Sequence, residues 1–343
     1  MSVRTASLRH RWQKRGLLVR MLWPLAWLMG LAVACRQCFY QLGWLKRHRL
    51  PVPVIVVGNV LLGGVGKTPV VIALVTHFQA RGLRVGVISR GYGRPSDAIH
   101  TVTANSTALD AGDEALLIAQ RCQTPVVVAA DRVAAGRHLL TLHPMTDVIV
   151  SDDGLQHLAL EHDVALCVFD ERGVGNGWLF PAGPLREPWP RASKVPQWVL
   201  TSASSHSTQD LSEKVFEVQR ELAGIARNAL GEQRALSHWH THACHALAAI
   251  AKPERFFDML RQQGVQLTHT LDLPDHAPLT HALDAQPKGV DWLCTEKDAT
   301  KLWSTHPQAW AVPLNVNLPA DFLAELDTAL NARLSSSHGH ETA

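Results

Sequence analysis

Residues 61–68 read LLGGVGKT, directly after an apolar, β-branched run at 53–57 (PVIVV) and directly before a stretch with helical patterning at 69–79. A glycine cluster closed by Lys-Thr in that setting leaves few folds open. Glycines let consecutive backbone N–H groups turn toward a phosphate chain, and the helix that follows adds the favourable end of its dipole. The lysine then reaches the β/γ-phosphates, and the threonine hydroxyl is placed for Mg²⁺. The usual pattern has a glycine five residues before Gly66, where this chain has Leu61; the glycines cluster instead as GGxGKT. The loop residues Leu61, Leu62, Gly63, Gly64, Val65, Gly66, Lys67 and Thr68 are therefore the candidate ATP site. A dinucleotide fingerprint needs a different spacing from the one Lys67 and Thr68 allow.

The following residues repeat the alternation. Strands are expected at 84–88, 125–129, 148–150 and 164–169, with helices at 69–79, 113–121 and 134–142 between them. Strand–helix alternation predicts an α/β fold of the P-loop NTPase type, a parallel sheet with helices on both faces. A Gly/Pro-rich stretch at 173–190 and a polar one at 202–210 mark a change of regime, and a smaller C-terminal α/β lobe follows, with a strand at 245–250, a helix at 253–263 and a strand at 292–295. The expected division is an arm at 1–50, a P-loop core at 51–215, a C-terminal lobe at 216–334 and a frayed tail at 335–343.

Residues 147–157 (DVIVSDDGLQH) form an apolar strand that ends in two carboxylates. Such a strand end can hold Mg²⁺ opposite a phosphate loop, which makes Asp152 and Asp153 candidate metal ligands beside Thr68. Paired aspartates also initiate turns; the loop upstream favours the metal.

Charge is distributed unevenly. Residues 1–50 carry ten Lys/Arg and no Asp or Glu, whereas the other residues carry 23 Lys/Arg and 30 Asp/Glu. A basic arm thus precedes an acidic body, which points to an anionic membrane surface or nucleic acid as the arm's partner. Within the arm, residues 21–35 (MLWPLAWLMGLAVAC) hold no charged side chain. As a helix they extend about 22 Å, short of the roughly 30 Å hydrocarbon core. Trp12, Trp23, Trp27 and Trp44 suit the headgroup level, so insertion into one leaflet is expected. A core helix packed on the body is the competing reading, and a cleaved signal peptide conflicts with the ATP site behind it. Six dispersed cysteines do not make a disulfide framework.

The order of motifs resembles that of the tetraacyldisaccharide 4'-kinases of lipid A synthesis. The resemblance rests on VGNVLLGGVGKTP (57–69), ISRGYGR (88–94), AGDEA (111–115), ADRVAAGR (130–137), DDGLQH (152–157), FPAGPLREP (180–188), KPERFF (252–257), PDH (274–276) and TEKDATKL (295–302). It implies transfer of the ATP γ-phosphoryl group to the 4'-hydroxyl of an acylated glucosamine disaccharide 1-phosphate, with Mg²⁺, at the cytoplasmic face of the inner membrane. By motif, Asp113 is the implied base and His276 its partner, with Asp275 orienting the ring. Glu114 and Gln156 are implied as supporting polar groups, and Arg132 and Arg186 as cations for phosphates. On this reading the arm meets membrane lipid, and nucleic acid drops out.

Two further readings compete: a membrane-associated P-loop ATPase switch acting through a protein partner, and a kinase for another amphipathic glycolipid. The switch proteins carry a lysine just before the glycines, where this chain has Leu62. His238, His240, His242, Cys244 and His245 in HWHTHACH resemble a zinc site, but solvated histidines at a domain entry are the expectation.

Overall fold

A computed structural model of the chain describes residues 12, 15–202, 211, 214–284, 286 and 289–338. The basic residues Arg4, Arg9, Arg11 and Lys14, most of the polar stretch at 203–210 and the last five residues lie outside the described residues.

In chain order the elements begin with helices α1 (Leu17–Met21) and α2 (Trp23–Gln41), strand β1 (Val54–Gly58), helix α3 (Lys67–Ala80) and strands β2 (Val85–Ser89) and β3 (His100–Thr101). Helices α4 (Ala108–Ala111) and α5 (Asp113–Cys122), strand β4 (Val126–Val128), helix α6 (Arg132–Leu142) and strands β5 (Val148–Asp152), β6 (Val164–Phe169), β7 (Gln197–Thr201) and β8 (Val215–Glu217) follow. Next come β9 (Gln219–Leu222), β10 (Ile225–Arg227), β11 (Gln233–Ala235), β12 (Cys244–Ala248), α7 (Pro253–Gln262) and β13 (Leu267–Asp272). The last are β14 (Trp292–Thr295), α8 (Glu296–Leu302), β15 (Trp310–Val312), β16 (Leu314–Asn317) and α9 (Ala320–His338).

The chain forms two compact units, one from residues 1–90, 124–219 and 317–343, the other from 91–123 and 220–316. This differs from the single boundary near residue 215 that composition suggests. Residues 91–123 belong to the second unit, and α9 returns to the first. That helix runs to His338, into the segment expected as tail, because Phe322, Leu326 and Leu330 on it are fully buried.

In the first unit the strands lie in the order β4-β2-β5-β1-β6-β7-β8, every neighbouring pair parallel. β1, β2, β4, β5 and β6 are buried along their whole length, the pattern of strands covered on two sides. Register is what positions the site. Val57 pairs with Asp152, so β1 and β5 end level and the phosphate loop leaves the sheet beside the two carboxylates. Ligands of such sheets sit beyond the carboxyl ends of the strands. α3 is apolar nearly all round, with Val70, Val71, Leu74, Val75 and Phe78 completely buried.

The second unit contains a sheet in the order β11-β10-β15-β14-β12-β13. β13, β12, β14 and β15 pair in parallel, and β10 and β11 extend the sheet antiparallel. Two apolar clusters pack against it, one around Trp239, Phe257 and Trp310, the other around Trp292, Ala299 and Leu302.

In the arm, α2 extends from Trp23 to Gln41 and carries past the apolar stretch into Arg36. Only Ala26 of this helix is buried, and it joins Trp12, Val19 and Ala182 in a small cluster with Leu62, Trp178 and Leu179 around it. The Trp12 indole N–H donates to the Pro181 carbonyl at 3.0 Å. Trp23, Leu25, Trp27, Leu28 and Leu31 are left half or more exposed, or nearly so, so the helix is seated on the body by one narrow edge and is not a core helix. Among the described residues no helix is long and apolar enough to cross a membrane.

Candidate active site

The phosphate loop in the first unit starts from β1 and turns through Gly63 and Gly66, whose φ angles are 91° and 81°. The left-handed Gly66 is the residue before α3, so a side chain there would strain the turn that opens the helix. The Leu62 N–H donates to the Pro184 carbonyl at 2.8 Å, and the Arg186 N–H to that of Val60 at 2.7 Å. The FPAGPLREP segment therefore braces the strand end that carries the loop.

Lys67 Nζ lies 3.1 Å from Asp153 Oδ1 and 3.2 Å from Asn59 Oδ1. Asp153, left-handed at φ 51°, also faces Arg186 at 3.6 Å. Burial alone pushes the Asp153 carboxyl up, but Lys67, Arg186 and Arg132 outweigh it and hold it below the ordinary carboxylate range. Asp152 is 1% exposed and accepts a hydrogen bond from Ser89 Oγ at 3.1 Å, because β2 pairs with β5 in a register that brings Ser89 level with it. The Arg132 guanidinium is 2% exposed and donates to the Ala129 carbonyl at 2.7 Å. Burial lowers its pKa to about 10 against the opposing pull of Asp152 and Asp153, which leaves it cationic at neutral pH. Gln156 Nε2 donates to the Asn59 carbonyl at 2.9 Å and to Glu187 Oε1 at 2.8 Å.

Thr68, Asp152 and Asp153 together offer hydroxyl and carboxylate oxygens, the hard donors that Mg²⁺ takes. Among the described residues no three His, Cys, Asp or Glu gather as a self-sufficient metal cage. The oxygen donors of Thr68, Asp152 and Asp153 are a set that fits Mg²⁺, an ion that also takes water and nucleotide phosphate.

The second unit holds the other cluster. Gly112, at φ 82°, precedes α5, and a Cβ there would come within 3.0 Å of the Gly91 backbone. The GDE sequence thus places Asp113 at the first position of α5 with 3% exposure. His276, also left-handed at φ 63°, puts Nδ1 at 3.0 Å from Asp113 Oδ2. The Tyr92 ring lies 5.0 Å from the imidazole, which supplies an aromatic neighbour from the ISRGYGR segment. Asp275 Oδ1 is 3.7 Å from His276 Nε2. The Glu114 N–H donates to Asp113 Oδ1 at 3.0 Å.

All the site residues expected from the sequence therefore fall into two groups. Leu61, Leu62, Gly63, Gly64, Val65, Gly66, Lys67, Thr68, Arg132, Asp152, Asp153, Gln156 and Arg186 belong to the first unit; Asp113, Glu114, Asp275 and His276 belong to the second. Several participants escape sequence reasoning. Arg172 donates to the Leu62 carbonyl at 3.1 Å and the Gly64 carbonyl at 3.3 Å while its Nε pairs with Asp170, so it grips the phosphate loop from behind. Nothing local to DERG at 170–173 announces that. Lys301 Nζ is 2.8 Å from Asp113 Oδ2, and Lys297 contacts Glu114, Asp275 and His276. Their spacing of four on a helix is a signal that could have found them.

The zinc-like histidines are dispersed differently from a strand pattern. His238 and His240 lie on a 3₁₀ turn, His238 and His242 stack at 4.2 Å, and His245 on β12 packs edge-on against Trp292.

A family model described as tetraacyldisaccharide-1-P 4'-kinase matches residues 18–331. The chain belongs to that family. It is 50% identical over 331 residues to the tetraacyldisaccharide 4'-kinase of Acidovorax ebreus, covering 96% of both chains. It is 48% identical over 340 residues to that of Polaromonas naphthalenivorans, covering 96% of this chain and 97% of the other. Among solved structures it is similar to LpxK from Aquifex aeolicus in complex with ATP, with a TM-score of 0.78 and 26% identity over 93% of this chain and 100% of the other. The P-loop α/β fold with a large parallel sheet is that of the tetraacyldisaccharide 4'-kinases, and the chain is a kinase that uses ATP as phosphoryl donor. The reading as an ATPase switch is not favoured.

Proposed function

We propose that the chain transfers the γ-phosphoryl group of ATP to the 4'-hydroxyl of a tetraacylated glucosamine disaccharide 1-phosphate, with Asp113 as the base. The observation that carries the mechanism is the buried carboxylate of Asp113 held at 3.0 Å by His276 Nδ1. In the first unit, the loop from Leu61 to Thr68 turns its N–H groups toward the β/γ-phosphates, and Lys67 exchanges Asp153 for phosphate oxygen. Thr68, Asp152 and Asp153 would hold Mg²⁺, which supplies positive charge to the phosphates of the donor. Arg132 and Arg186 add positive charge for the phosphates.

In the second unit, Asp113 accepts the proton of the attacking hydroxyl. Its carboxyl is pushed up by burial but pulled down further by His276, Lys297 and Lys301, so it stays ionised at any working pH. A weakly basic carboxylate suffices because phosphoryl transfer passes through a loose transition state, in which the hydroxyl proton leaves late. His276 orients the carboxylate and donates to it. The O–H bond of the acceptor breaks as its oxygen bonds to phosphorus, and the electron pair of the broken β–γ bridge leaves with ADP.

The arm brings the enzyme to its acyl-chain substrate at the cytoplasmic face of the inner membrane. The exposed row of Leu25, Trp27, Leu28 and Leu31 supplies apolar area, and each Lys/Arg near an anionic leaflet adds about 1 kcal/mol. Following label from γ-labelled ATP tests the reaction. Label in the acylated disaccharide supports it; label in free phosphate alone, with the acceptor present, sinks it.

A further inference from the structure

α8 carries Lys297 and Lys301 four residues apart, and so on one face. Its place in the second unit is firmly set. Thr295 caps it by accepting from the Asp298 N–H at 3.2 Å, and fully buried Asp298 accepts from the Ala249 N–H at 3.1 Å. Glu296 takes Arg121 on both oxygens at 2.8 Å and Arg227 on one at 2.8 Å. The His276 N–H donates to the carbonyl of the same Ala249 at 3.3 Å. The lysines and the imidazole are thereby tied to neighbouring atoms of one scaffold.

From this face Lys301 Nζ reaches Asp113 Oδ2 at 2.8 Å, the same oxygen that His276 Nδ1 meets at 3.0 Å. Lys297 Nζ lies 3.3 Å from His276 Nε2, 3.3 Å from Glu114 Oε1, 3.5 Å from Asp275 Oδ1 and 3.9 Å from Asp113 Oδ2. An ammonium group can only donate. Where Lys297 donates to it, Nε2 accepts, which places the ring N–H on Nδ1, aimed at Asp113. Three carboxylates (Asp113, Glu114, Asp275) face the two ammonium groups.

We propose that Lys297 and Lys301 are positioning residues for phosphoryl transfer, holding the Asp113–His276 pair in a single hydrogen-bonded arrangement: carboxylate free of a proton, imidazole donating from Nδ1 and accepting at Nε2. Lys301 acts on the carboxylate, and Lys297 acts on the ring. The inference rests on the reading of Asp113 as the base. It extends that reading to two residues that act through Asp113 and His276. Burial on its own would drive the Asp113 carboxyl upward. Without the lysines, Asp113 would keep His276 and the Glu114 N–H as partners against that push.

The experiment is a kcat profile of the full-length enzyme from pH 5 to 9, with ATP and the acylated disaccharide, for Lys301→Gln, Lys301→Arg and Asp113→Asn. Glutamine keeps the reach of the side chain and a donor but removes the charge. For Lys301→Gln the expected result is a loss of kcat that is greatest at the acidic end and fades as pH rises, with KM for ATP unchanged. Lys301→Arg restores the parental profile. A uniform loss at every pH, or a profile that superimposes on the parent, overturns the role of Lys301. For Lys297→Met, ¹⁵N spectra of the imidazoles read the tautomer, with His276 assigned by its loss in His276→Asn. A change from one Nδ1–H species to a mixture is expected, and an unchanged signal overturns the role of Lys297. Asp113→Asn separates the two levels. Parental turnover in that variant removes the base assignment itself, whereas an inactive Asp113→Asn beside an unaffected Lys301→Gln removes only the lysines.

Discussion

In the first unit, the phosphate loop and the paired carboxylates proposed to serve ATP and its metal come from two neighbouring strand ends, β1 and β5, and each is contiguous in sequence: GGVGKT on one, DD on the other. In the second unit, Asp113, His276 and the two lysines come from three separate segments: the start of α5, the turn after β13, and α8. The phosphate loop needs only local geometry, glycines at positive φ and a helix start, so its residues sit side by side. The Asp113–His276 pair spans 163 positions of sequence and exists only because a sheet and a helix hold its members in place. Local sites are robust to change elsewhere in the fold, and assembled ones are sensitive to it.

The largest effect expected from breaking this contrast is Lys67→Met. It removes a positive charge from the phosphates and unpairs Asp153, so turnover should fall about a thousandfold and ATP affinity should fall with it. Next is His276→Asn, in which Asp113 keeps Lys301 but loses its orienting ring. A loss of about a hundredfold in kcat is expected with ATP binding intact, and an ATP affinity that fell in parallel would show that the two units are not separable in function. A smaller change is Glu296→Gln, which weakens the fork with Arg121 and Arg227 deep in the second unit. Thermal unfolding should register about 3 kcal/mol, with nucleotide affinity preserved at temperatures where the enzyme is folded. The smallest is Arg172→Ala, which frees the carbonyls of Leu62 and Gly64. KM for ATP should rise about tenfold, the worth of one charge-assisted hydrogen bond, and kcat should change little.

The same contrast explains what could be read from sequence. Strands at 53–57, 84–88 and 164–169 and the helix at 253–263 announce themselves, because buried parallel strands are continuous apolar runs and α7 is strongly amphipathic. β8 to β11 are short and, like β13, partly exposed, with Gln and Arg in β9 to β11 and Thr in β13, so their pairing depends on partners far along the chain. α9 returning to the first unit is equally invisible, since its apolar face has meaning only beside Trp198 and Phe216. At the site, Lys67, Thr68, Asp152 and Asp153 are legible from motif and spacing. Asp113 and His276 emerge through family resemblance, being otherwise one helix-start carboxylate and one of nineteen histidines. Lys297 and Lys301 stand inside a motif that resemblance marks, but their targets appear only when α8 is set against α5.

The central claim is that donor binding and acceptor activation are carried by different units, with Asp113 serving only the second. Asp113→Asn measured in two ways tests it most directly: ATP affinity by calorimetry, and transfer of γ-label to the acylated disaccharide in a single turnover. The expected result is parental affinity with transfer slowed on the order of a thousandfold. Transfer at the parental rate, or loss of ATP binding in step with loss of transfer, would contradict the account.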